Sequence, residues 1–227
     1  MTTIVGAGLA GLIAAQAFPN SRIVESSPQP QESHKALLRF RSDAVARVTG
    51  IEFKPVTVHK AIWHEGRETA PTPRLSNLYS QKCLAGRVAD RSIWNLEPVT
   101  RWIAPEDFYD RLVESLNGRI EWGAEFNFAA NTKPVVSTAP LSVVGRNLGR
   151  KMPPLEFEPI TVARYRIPDC DVHQTVYFPS HDHSLYRASI TGDLLIAEFT
   201  GDPRGCWAEE IESAFGLESL GDYLGIV

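Results

Sequence analysis

The sequence predicts an α/β protein in which a discontinuous domain with a parallel sheet carries an inserted, mostly antiparallel β domain. Three observations lead to this prediction. The chain opens with a strand, a glycine-rich turn, an apolar helix and a second strand; a helical pattern at 105–118 precedes two further short strands; and 155–200 has the pattern of β-structure throughout. Strands that alternate with helices favour a parallel sheet, whereas closely spaced short strands favour an antiparallel one.

The glycine-rich turn has the spacing of a dinucleotide-binding fingerprint. Gly6-Ala7-Gly8-Leu9-Ala10-Gly11 follows the strand at 3–5 and begins the apolar helix at 9–18. In this pattern the first glycine permits a tight turn, the second admits a pyrophosphate close to the backbone, and the third lets the helix pack against the strand. The helix N-terminus also presents N–H groups and partial positive charge to phosphates. The sequence therefore predicts a Rossmann-type nucleotide site at this turn.

An acidic residue completes the fingerprint. The second strand, at 22–24, ends in Glu25, which lies nineteen residues after Gly6. A carboxylate at this place accepts hydrogen bonds from the ribose of an adenine dinucleotide. Because strand, turn, helix, second strand and carboxylate occur in the right order and spacing, we favour a nucleotide site over a glycine-rich turn that binds nothing.

The remaining elements follow from local patterns. A short helix is predicted at 43–48, closed by Gly50, and a longer one begins at Pro105 and ends at Asn117-Gly118. Strands are predicted at 53–58, 92–94, 120–122, 134–138, 160–167, 174–178, 185–190 and 194–199. Two amphipathic helices, at 207–215 and 217–224, are predicted to finish the chain.

Charge and cysteine usage narrow the class of protein. The formal net charge of −4 argues against a broad electrostatic attraction to nucleic acid or an anionic membrane. Cys83, Cys170 and Cys206 are far apart and form no C-x-x-C motif, which favours reduced thiols in a cytoplasm-like compartment. The apolar segment 4–18 lacks a basic leader and is too short to span a bilayer. We expect a soluble, cytoplasmic protein with no membrane partner.

The fingerprint also carries a family resemblance. Residues 6–12 together with Glu25 resemble the FAD-binding start of the amine-oxidase and glycine-oxidase-like flavoproteins, a broad group to which UDP-galactopyranose mutase belongs. The segment Val135-Val136-Ser137-Thr138-Ala139-Pro140 is similar to a later strand and small-residue turn of these proteins. They carry a pair of glycines soon after the ribose carboxylate, where this chain has Pro28 and Pro30 instead.

The resemblance implies a cofactor, a set of binding residues and a division into domains. The cofactor is FAD, with NAD(P) as the alternative because nicotinamide enzymes share the fingerprint. The FAD-binding Rossmann domain comprises 1–50, 105–140 and 200–227, and a substrate domain comprises 51–104 and 141–199. The implied cofactor-binding residues are Gly6, Ala7, Gly8, Leu9, Ala10, Gly11, Glu25, Thr138, Ala139 and Pro140.

Two further features depend on the same resemblance. Gly201-Asp202 is either the motif that contacts the flavin ribityl chain or a turn at a strand end. The chain is much shorter than typical members, which implies either incomplete burial of the flavin or completion of the site by a second subunit in a homo-oligomer.

The activity implied is oxidation of a C–N bond in an amine substrate, with flavin as the electron sink. A narrower version is a compact phage-type, FAD-dependent lyase of thymidine hypermodification in the host cytoplasm. Its partner would be a modified base in DNA, and it would convert N-glycinyl thymidine to 5-aminomethyl-deoxyuridine. The alternatives are a redox-neutral flavin enzyme of the UDP-galactopyranose mutase type and a non-catalytic flavin- or NAD(P)-binding module.

Substrate contacts are predicted at five residues, Arg39, Arg41, Arg91, Tyr186 and Arg187. An arginine binds a carboxylate or phosphate through two parallel hydrogen bonds. A solvated basic face is the alternative for the first two, a half-buried strand for the third, and packing across a sheet for the last two. No catalytic side chain is predicted. His181-Asp182-His183 is expected to form an exposed turn rather than a metal site.

Overall fold

A computed structural model describes residues 1–30, 37–84, 86, 93–152 and 159–226. A one-turn 3-10 helix at Asn117–Arg119 accompanies the other elements. In chain order these are β1 (Thr3–Val5), α1 (Leu9–Ala17), β2 (Arg22–Glu25), β3 (Arg39–Phe40), α2 (Ala44–Thr49), β4 (Lys54–His64), β5 (Arg67–Glu68), α3 (Pro73–Cys83), β6 (Val99–Ile103), α4 (Phe108–Leu116), β7 (Ile120–Trp122), β8 (Val135–Ser137), α5 (Leu141–Asn147), β9 (Ile160–Arg166), β10 (His173–Tyr177), β11 (Leu185–Thr191), β12 (Leu194–Thr200), α6 (Trp207–Phe215) and β13 (Asp222–Ile226).

The chain divides into two compact units, each made of two segments. The first unit comprises Met1–Pro55 and Trp102–Glu156, and the second comprises Val56–Arg101 and Phe157–Val227. The predicted boundaries differ at four places: 51–55, 102–104 and 141–156 lie in the first unit, and 200–227 lies in the second. The C-terminal segment belongs to the second unit because α6 buries Ile211 in that unit's core and β13 pairs with β9. The predicted roles of the two units stay a prediction.

The first unit contains a parallel sheet of four strands in the order β7-β2-β1-β8. Helices α1 and α4 bury one apolar face each, with Leu12, Phe108 and Leu112 fully buried in one cluster. Burial of side chains of this size contributes on the order of 2 kcal/mol each. The residues of β3 pair in antiparallel fashion with the end of β6 that belongs to this unit.

The second unit is built on a mixed sheet in the order β13-β9-β12-β11-β10-β4-β6. The pairs among β13, β9, β12, β11 and β10 are antiparallel, and β10 pairs with β4 in parallel. One face of this sheet forms an apolar core in which Leu195, Ala197 and Phe199 are fully buried, and α6 packs on it through Ile211. A mixed α/β fold with one parallel sheet is therefore confirmed.

The second C-terminal helix predicted, at 217–224, is wrong. Helix α6 ends at Phe215, and Gly216 takes a left-handed conformation with a φ of 65° that stops the helix. The following residues form β13, which pairs with β9 over Asp222 to Ile226. Periodicity cannot separate helix from strand over so few residues, and here the free edge of β9 decides the outcome.

Other differences concern elements that local patterns did not predict. Helix α3 carries a start signal that was overlooked: the Thr72 hydroxyl accepts a hydrogen bond from the Leu75 N–H at 3.2 Å, and Pro73 follows it. Strands β5 and β6 and helix α5 were also not predicted. In the predicted strand at 92–94, Ser92 lies outside the described residues, while Ile93 and Trp94 have no regular structure. Among the helices described, none has the length and apolar character needed to cross a membrane.

The turn between β10 and β11 is held by a half-buried lysine and a buried histidine. The Lys82 ammonium group, from α3, donates hydrogen bonds to the carbonyl oxygens of Phe178, Ser180 and Leu185. His183 is 7% exposed and packs edge-on against Phe178. Burial, and after it the positive charge of Lys82, lowers the pKa of His183 to about 4. His181 and Asp182 are exposed, so the expectation of an exposed turn at 181–183 is wrong only at His183, whose ring packs into the turn.

The lowered pKa of His183 predicts that the stability of the folded protein depends on pH. An unfolded chain protonates the imidazole near its ordinary pKa of about 6.5, whereas the folded protein protonates His183 only near 4. Between these values the unfolded state binds more protons, so stability conferred by neutral His183 falls as the pH drops through this window. From pH 7 to pH 5 the loss is on the order of 2 kcal/mol.

Urea denaturation at pH 7 and at pH 5 measures this loss of stability. It is carried out on His183→Asn and on His181→Asn, the matched variant at an exposed position. The His183→Asn protein should lose about 2 kcal/mol less on acidification than the His181→Asn protein. Equal losses in the two variants would show that His183 is not held neutral by its surroundings.

Candidate functional site

The glycine turn between β1 and α1 depends on two close backbone approaches. Gly6 has a φ of 102°, and a Cβ there would lie 2.5 Å from the Thr138 hydroxyl oxygen. A Cβ at Gly11 would lie 1.9 Å from the carbonyl oxygen of Gly6. Only glycine allows this geometry at either position. The two residues therefore fix the N-terminus of α1 against β1 and the turn that follows β8.

Gly8 has different surroundings. Its φ is −68°, which any residue adopts, and a Cβ built on it would meet no heavy atom within 4 Å. It is the N-cap of α1, and no side chain caps that helix terminus. The N–H groups of a first helical turn have no partner inside the helix. The chain thus leaves room for a ligand at the place where α1 presents donors and partial positive charge.

The Glu25 carboxylate lies beside this helix terminus. One oxygen accepts a hydrogen bond from the Ala7 N–H at 2.7 Å, and the other accepts one from the Ser27 N–H at 2.8 Å. The Ser26 hydroxyl is 3.2 Å from the second oxygen. An ionised carboxylate has about four acceptor positions. Two backbone donors therefore orient Glu25 while leaving acceptor capacity for the hydroxyl groups of a ligand.

A cavity of about 700 Å³ opens at this point in the first unit. It is of the size that holds small-molecule ligands. Four segments form its wall: the glycine turn, the end of β2, the loop after β7, and the turn from Thr138 into α5. The lining residues include Gly6, Gly8, Leu9, Ala10, Glu25, Phe126, Phe128, Thr138, Ala139, Pro140, Val143 and Asn147.

Sequence reasoning missed the loop after β7. Its backbone is anchored to the end of β2, because the Gly123 N–H donates to the Ser27 carbonyl oxygen at 2.8 Å and the Ala124 N–H to the Glu25 carbonyl oxygen at 2.9 Å. The rings of Phe126 and Phe128 meet edge to face at 4.9 Å between centroids. Alternating aromatic residues beside a strand end were the available signal.

Two side chains outside the cavity hold the glycine turn and α1 in place. The buried Tyr109 hydroxyl, from α4, donates to the Ala7 carbonyl oxygen at 3.3 Å. The Arg119 guanidinium donates to the carbonyl oxygens of Ala15 and Phe18 at the end of α1, at 3.0 and 2.7 Å. A cation at a helix C-terminus complements the helix dipole. Neither residue was predicted, since each acts through a contact distant in sequence.

The residues present fit a dinucleotide. The donors and the open space at Gly8 suit a pyrophosphate, and the Glu25 carboxylate suits ribose hydroxyl groups. The cavity wall includes residues that follow both β1 and β8. Of the ten cofactor-binding residues predicted, eight line the cavity, Ala7 orients Glu25, and Gly11 packs beneath the turn. Their role in binding stays a prediction.

The predicted substrate contacts lie elsewhere or outside the described residues. Arg39 is half-buried in β3, opposite Ile103, and Arg41 is exposed just after it. Neither lines the cavity. Arg91 falls outside the described residues.

Tyr186 and Arg187 lie on β11 in the second unit and share a partner. The Arg187 guanidinium forms an ion pair with Glu198 on β12, and the Tyr186 hydroxyl donates to the same carboxylate at 3.3 Å. Burial alone would lower the pKa of Arg187, but the hydrogen bonds and negative charge of Glu198 offset it and hold that pKa above its usual value. Arg187 is therefore charged and internally paired, and its role toward a substrate stays a prediction.

Gly201-Asp202 lies at the end of β12 in the second unit. Gly201 has a φ of 68°, its N–H donates to the Pro159 carbonyl oxygen at 2.8 Å, and the Asp202 carbonyl oxygen accepts from the Ser184 hydroxyl. This is the geometry of a strand-end turn, and a contact with flavin stays untested. Nearby, a cavity of about 520 Å³ is lined by residues that include Lys82, His183 and Arg204. Among the described residues no cluster of three potential metal ligands occurs.

Known proteins match this chain in fold but not in sequence. No family model and no curated protein matches it. A Pyrococcus furiosus protein from a structural genomics programme has a TM-score of 0.60 at 12% identity, over 100% of this chain and 87% of that one.

Two enzymes are similar at the same level. Reduced UDP-galactopyranose mutase has a TM-score of 0.54 at 13% identity, over 88% of this chain and 74% of the mutase. The rebeccamycin biosynthetic enzyme RebC with reduced flavin has a TM-score of 0.58 at 14% identity, over 100% of this chain and 50% of RebC. The chain therefore shares its fold with proteins that include an enzyme solved with reduced flavin.

Proposed function

We propose that the chain binds FAD in the cavity beside the glycine turn and is a FAD-dependent oxidoreductase that acts on a C–N bond of an amine. One observation carries the cofactor proposal. At Gly8, open space and an uncapped helix N-terminus face a cavity into which the oriented Glu25 carboxylate also opens. This is the pair of features by which a βαβ unit holds a pyrophosphate and an adenosine ribose.

Sheet topology supports a Rossmann-type unit. The parallel order β7-β2-β1-β8 corresponds to the strand order 3-2-1-4 of the nucleotide-binding fold, with the glycine turn at the end of its first strand. In this proposal Gly8 and the first turn of α1 hold the pyrophosphate, Glu25 holds the ribose, and Thr138, Ala139 and Pro140 complete the wall. The fold shared with a flavin-containing enzyme favours FAD over NAD(P).

The amine-directed activity rests on the resemblance of residues 6–12 and 135–140 to amine-oxidase-like flavoproteins. Bound FAD would supply the electron acceptor for oxidation of the carbon next to nitrogen. The narrower hypothesis, a lyase that acts on N-glycinyl thymidine in DNA, belongs to the same chemistry, since its substrate is also an N-carboxymethyl amine.

A redox-neutral activity of the mutase type is the second candidate. Its support is the similarity in fold to reduced UDP-galactopyranose mutase. The two candidates differ in their redox balance. An amine oxidase consumes an electron acceptor in every turnover, whereas a redox-neutral enzyme requires reduced flavin at the start and consumes no acceptor.

Substitution of Gly8 tests the cofactor site. In Gly8→Val the side chain has room and an ordinary φ, so the protein should fold, but the methyl groups would occupy the space assigned to the pyrophosphate. We expect FAD affinity, measured by calorimetry, to fall by about a hundredfold or more. Gly118→Val is the matched control, because a Cβ at Gly118 also meets open space but lies outside the cavity. Equal FAD affinity in the two variants would place the cofactor elsewhere.

Anaerobic titration of the FAD-loaded protein tests the activity. An N-carboxymethyl amine should bleach the flavin absorbance in proportion to the amine added, because oxidation of the C–N bond transfers two electrons to the cofactor. The same titration with DNA that carries N-glycinyl thymidine tests the lyase hypothesis. Flavin that stays oxidised with every amine, together with turnover only after chemical reduction, would favour the redox-neutral candidate.

A further inference from the structure

One face of the second unit's mixed sheet forms the apolar core described above. The opposite face carries polar side chains, and its part at β4 and β11 packs against α3 through Ile62 and Tyr186. On β9, Ala163 and Tyr165 point into the apolar core, so Arg164 lies on the opposite face, because successive side chains of a strand alternate. Cross-strand register extends this polar face. Ile196 lies opposite Arg164, Ser189 opposite Ile196, and Thr175 opposite Ser189. We call the row formed by Arg164, Ile196, Ser189, Thr175 and Lys60 the polar row.

Most cations on this face have a partner in the protein. Arg166 pairs with Asp193, and Arg187 pairs with Glu198. The Lys60 ammonium group donates to the Asn95 carbonyl oxygen at 3.4 Å. The carboxylates of Asp193 and Glu198 are therefore already engaged.

Arg164 is different. It is half-buried, and its Nε atom is buried with no hydrogen-bond acceptor. Within the described part of the chain, no carboxylate forms an ion pair with its guanidinium. A buried donor that has lost its water without gaining an acceptor is unfavourable by about 1–3 kcal/mol, and more when the group is charged. Five other buried side-chain atoms of the described residues also lack a hydrogen-bond partner, but Arg164 is the one arginine or lysine in this set. Each such atom calls for an explanation, of which a bound ligand or ion is one.

There is also space beside Arg164. The residue opposite it on β13 is Gly225, which has no side chain, and a Cβ built there would meet no heavy atom within 4 Å. On its other side the direct neighbour of Arg164 is the buried Ile196, and beyond it the buried Ser189 and Thr175 share a hydrogen bond at 3.0 Å. The arrangement leaves one unpaired cation with open space on one flank.

The ligand that matches this arrangement is a carboxylate. A guanidinium presents parallel N–H groups that bond both oxygens of a carboxylate, and one negative charge balances the one unpaired cation. A phosphate dianion would need a second cation beside Arg164 that has no carboxylate partner. Arg166 and Arg187 are paired with Asp193 and Glu198, and Lys60 lies on β4, four strands away from β9.

We propose that Arg164 binds the carboxylate group of a small-molecule ligand on the polar face of the second unit's sheet. The site requires no flavin, so it goes beyond the cofactor proposal. Where the amine-directed activity also holds, Arg164 assigns the substrate to amines that carry a carboxylate.

Acetate is the probe that tests the site. Calorimetry of the full chain with sodium acetate, at constant ionic strength with sodium chloride, should show saturable binding that Arg164→Gln weakens at least tenfold. Arg166→Gln is the matched control: the same substitution on the same strand and face, at an arginine that is 53% exposed and paired with Asp193. It should change acetate affinity less than twofold.

A purely structural role of Arg164 would change the stability of the protein rather than its affinity for acetate. Because Arg164→Gln removes an unpaired, partly buried charge, the melting temperature of the ligand-free variant should be no lower than that of the wild type. A lower melting temperature with unchanged acetate affinity would overturn the proposal, as would a wild-type protein that binds no acetate or binds inorganic phosphate more tightly. If Arg164→Gln does not fold, Arg164→Lys serves, since it keeps the charge and should still weaken binding through loss of the two-pronged contact.

The titration is run with and without FAD. Binding of acetate through Arg164 by a protein that takes up no FAD would contradict the cofactor proposal alone. Uptake of FAD together with acetate binding that is insensitive to Arg164→Gln would contradict this inference alone.

Discussion

The contact between the backbone of Gly6 and the first turn of α1 is the constraint on which the first unit depends. A Cβ at Gly11 would lie 1.9 Å from the Gly6 carbonyl oxygen, so helix and strand approach as closely as backbone atoms allow. Thr138 closes the turn from the other side, where its N–H and hydroxyl both donate to the Val5 carbonyl oxygen at 2.8 and 3.0 Å. This contact positions the other parts of the proposed cofactor site, which are the open space at Gly8, the N-terminus of α1 and the Glu25 carboxylate.

Several charged side chains removed from water in the two units are paired. Glu25 is held by two backbone N–H groups, Arg119 by carbonyl oxygens at the end of α1, and Arg187 by Glu198. Pairing is incomplete at two places that also have open space beside them: the N-terminus of α1, at Gly8, and the guanidinium of Arg164, opposite Gly225. The first suits an anion of the phosphate type, and the second suits a carboxylate.

The sequence predicted those parts of the molecule that local patterns determine. The glycine spacing, the apolar stretch of α1, the face formed by Phe108, Leu112 and Leu116, and the short strands β7 and β8 are all encoded within a few residues. The loop that carries Phe126 and Phe128 was missed because it is placed by backbone hydrogen bonds to Ser27 and Glu25, about a hundred residues earlier. Arg164 could not be distinguished from the other arginines, since its lack of a partner depends on the register of β9, β12 and β13. Strand β13 was mistaken for a helix for the same reason.

The most direct test of the account is the visible absorbance spectrum of the purified full chain after incubation with FAD and removal of free FAD by gel filtration. The account predicts that the protein retains flavin bands at one flavin per chain, because the pyrophosphate and ribose positions beside Gly8 and Glu25 are already formed. A protein that elutes colourless, with and without added FAD, would contradict the central claim and leave the glycine turn as a packing device for α1.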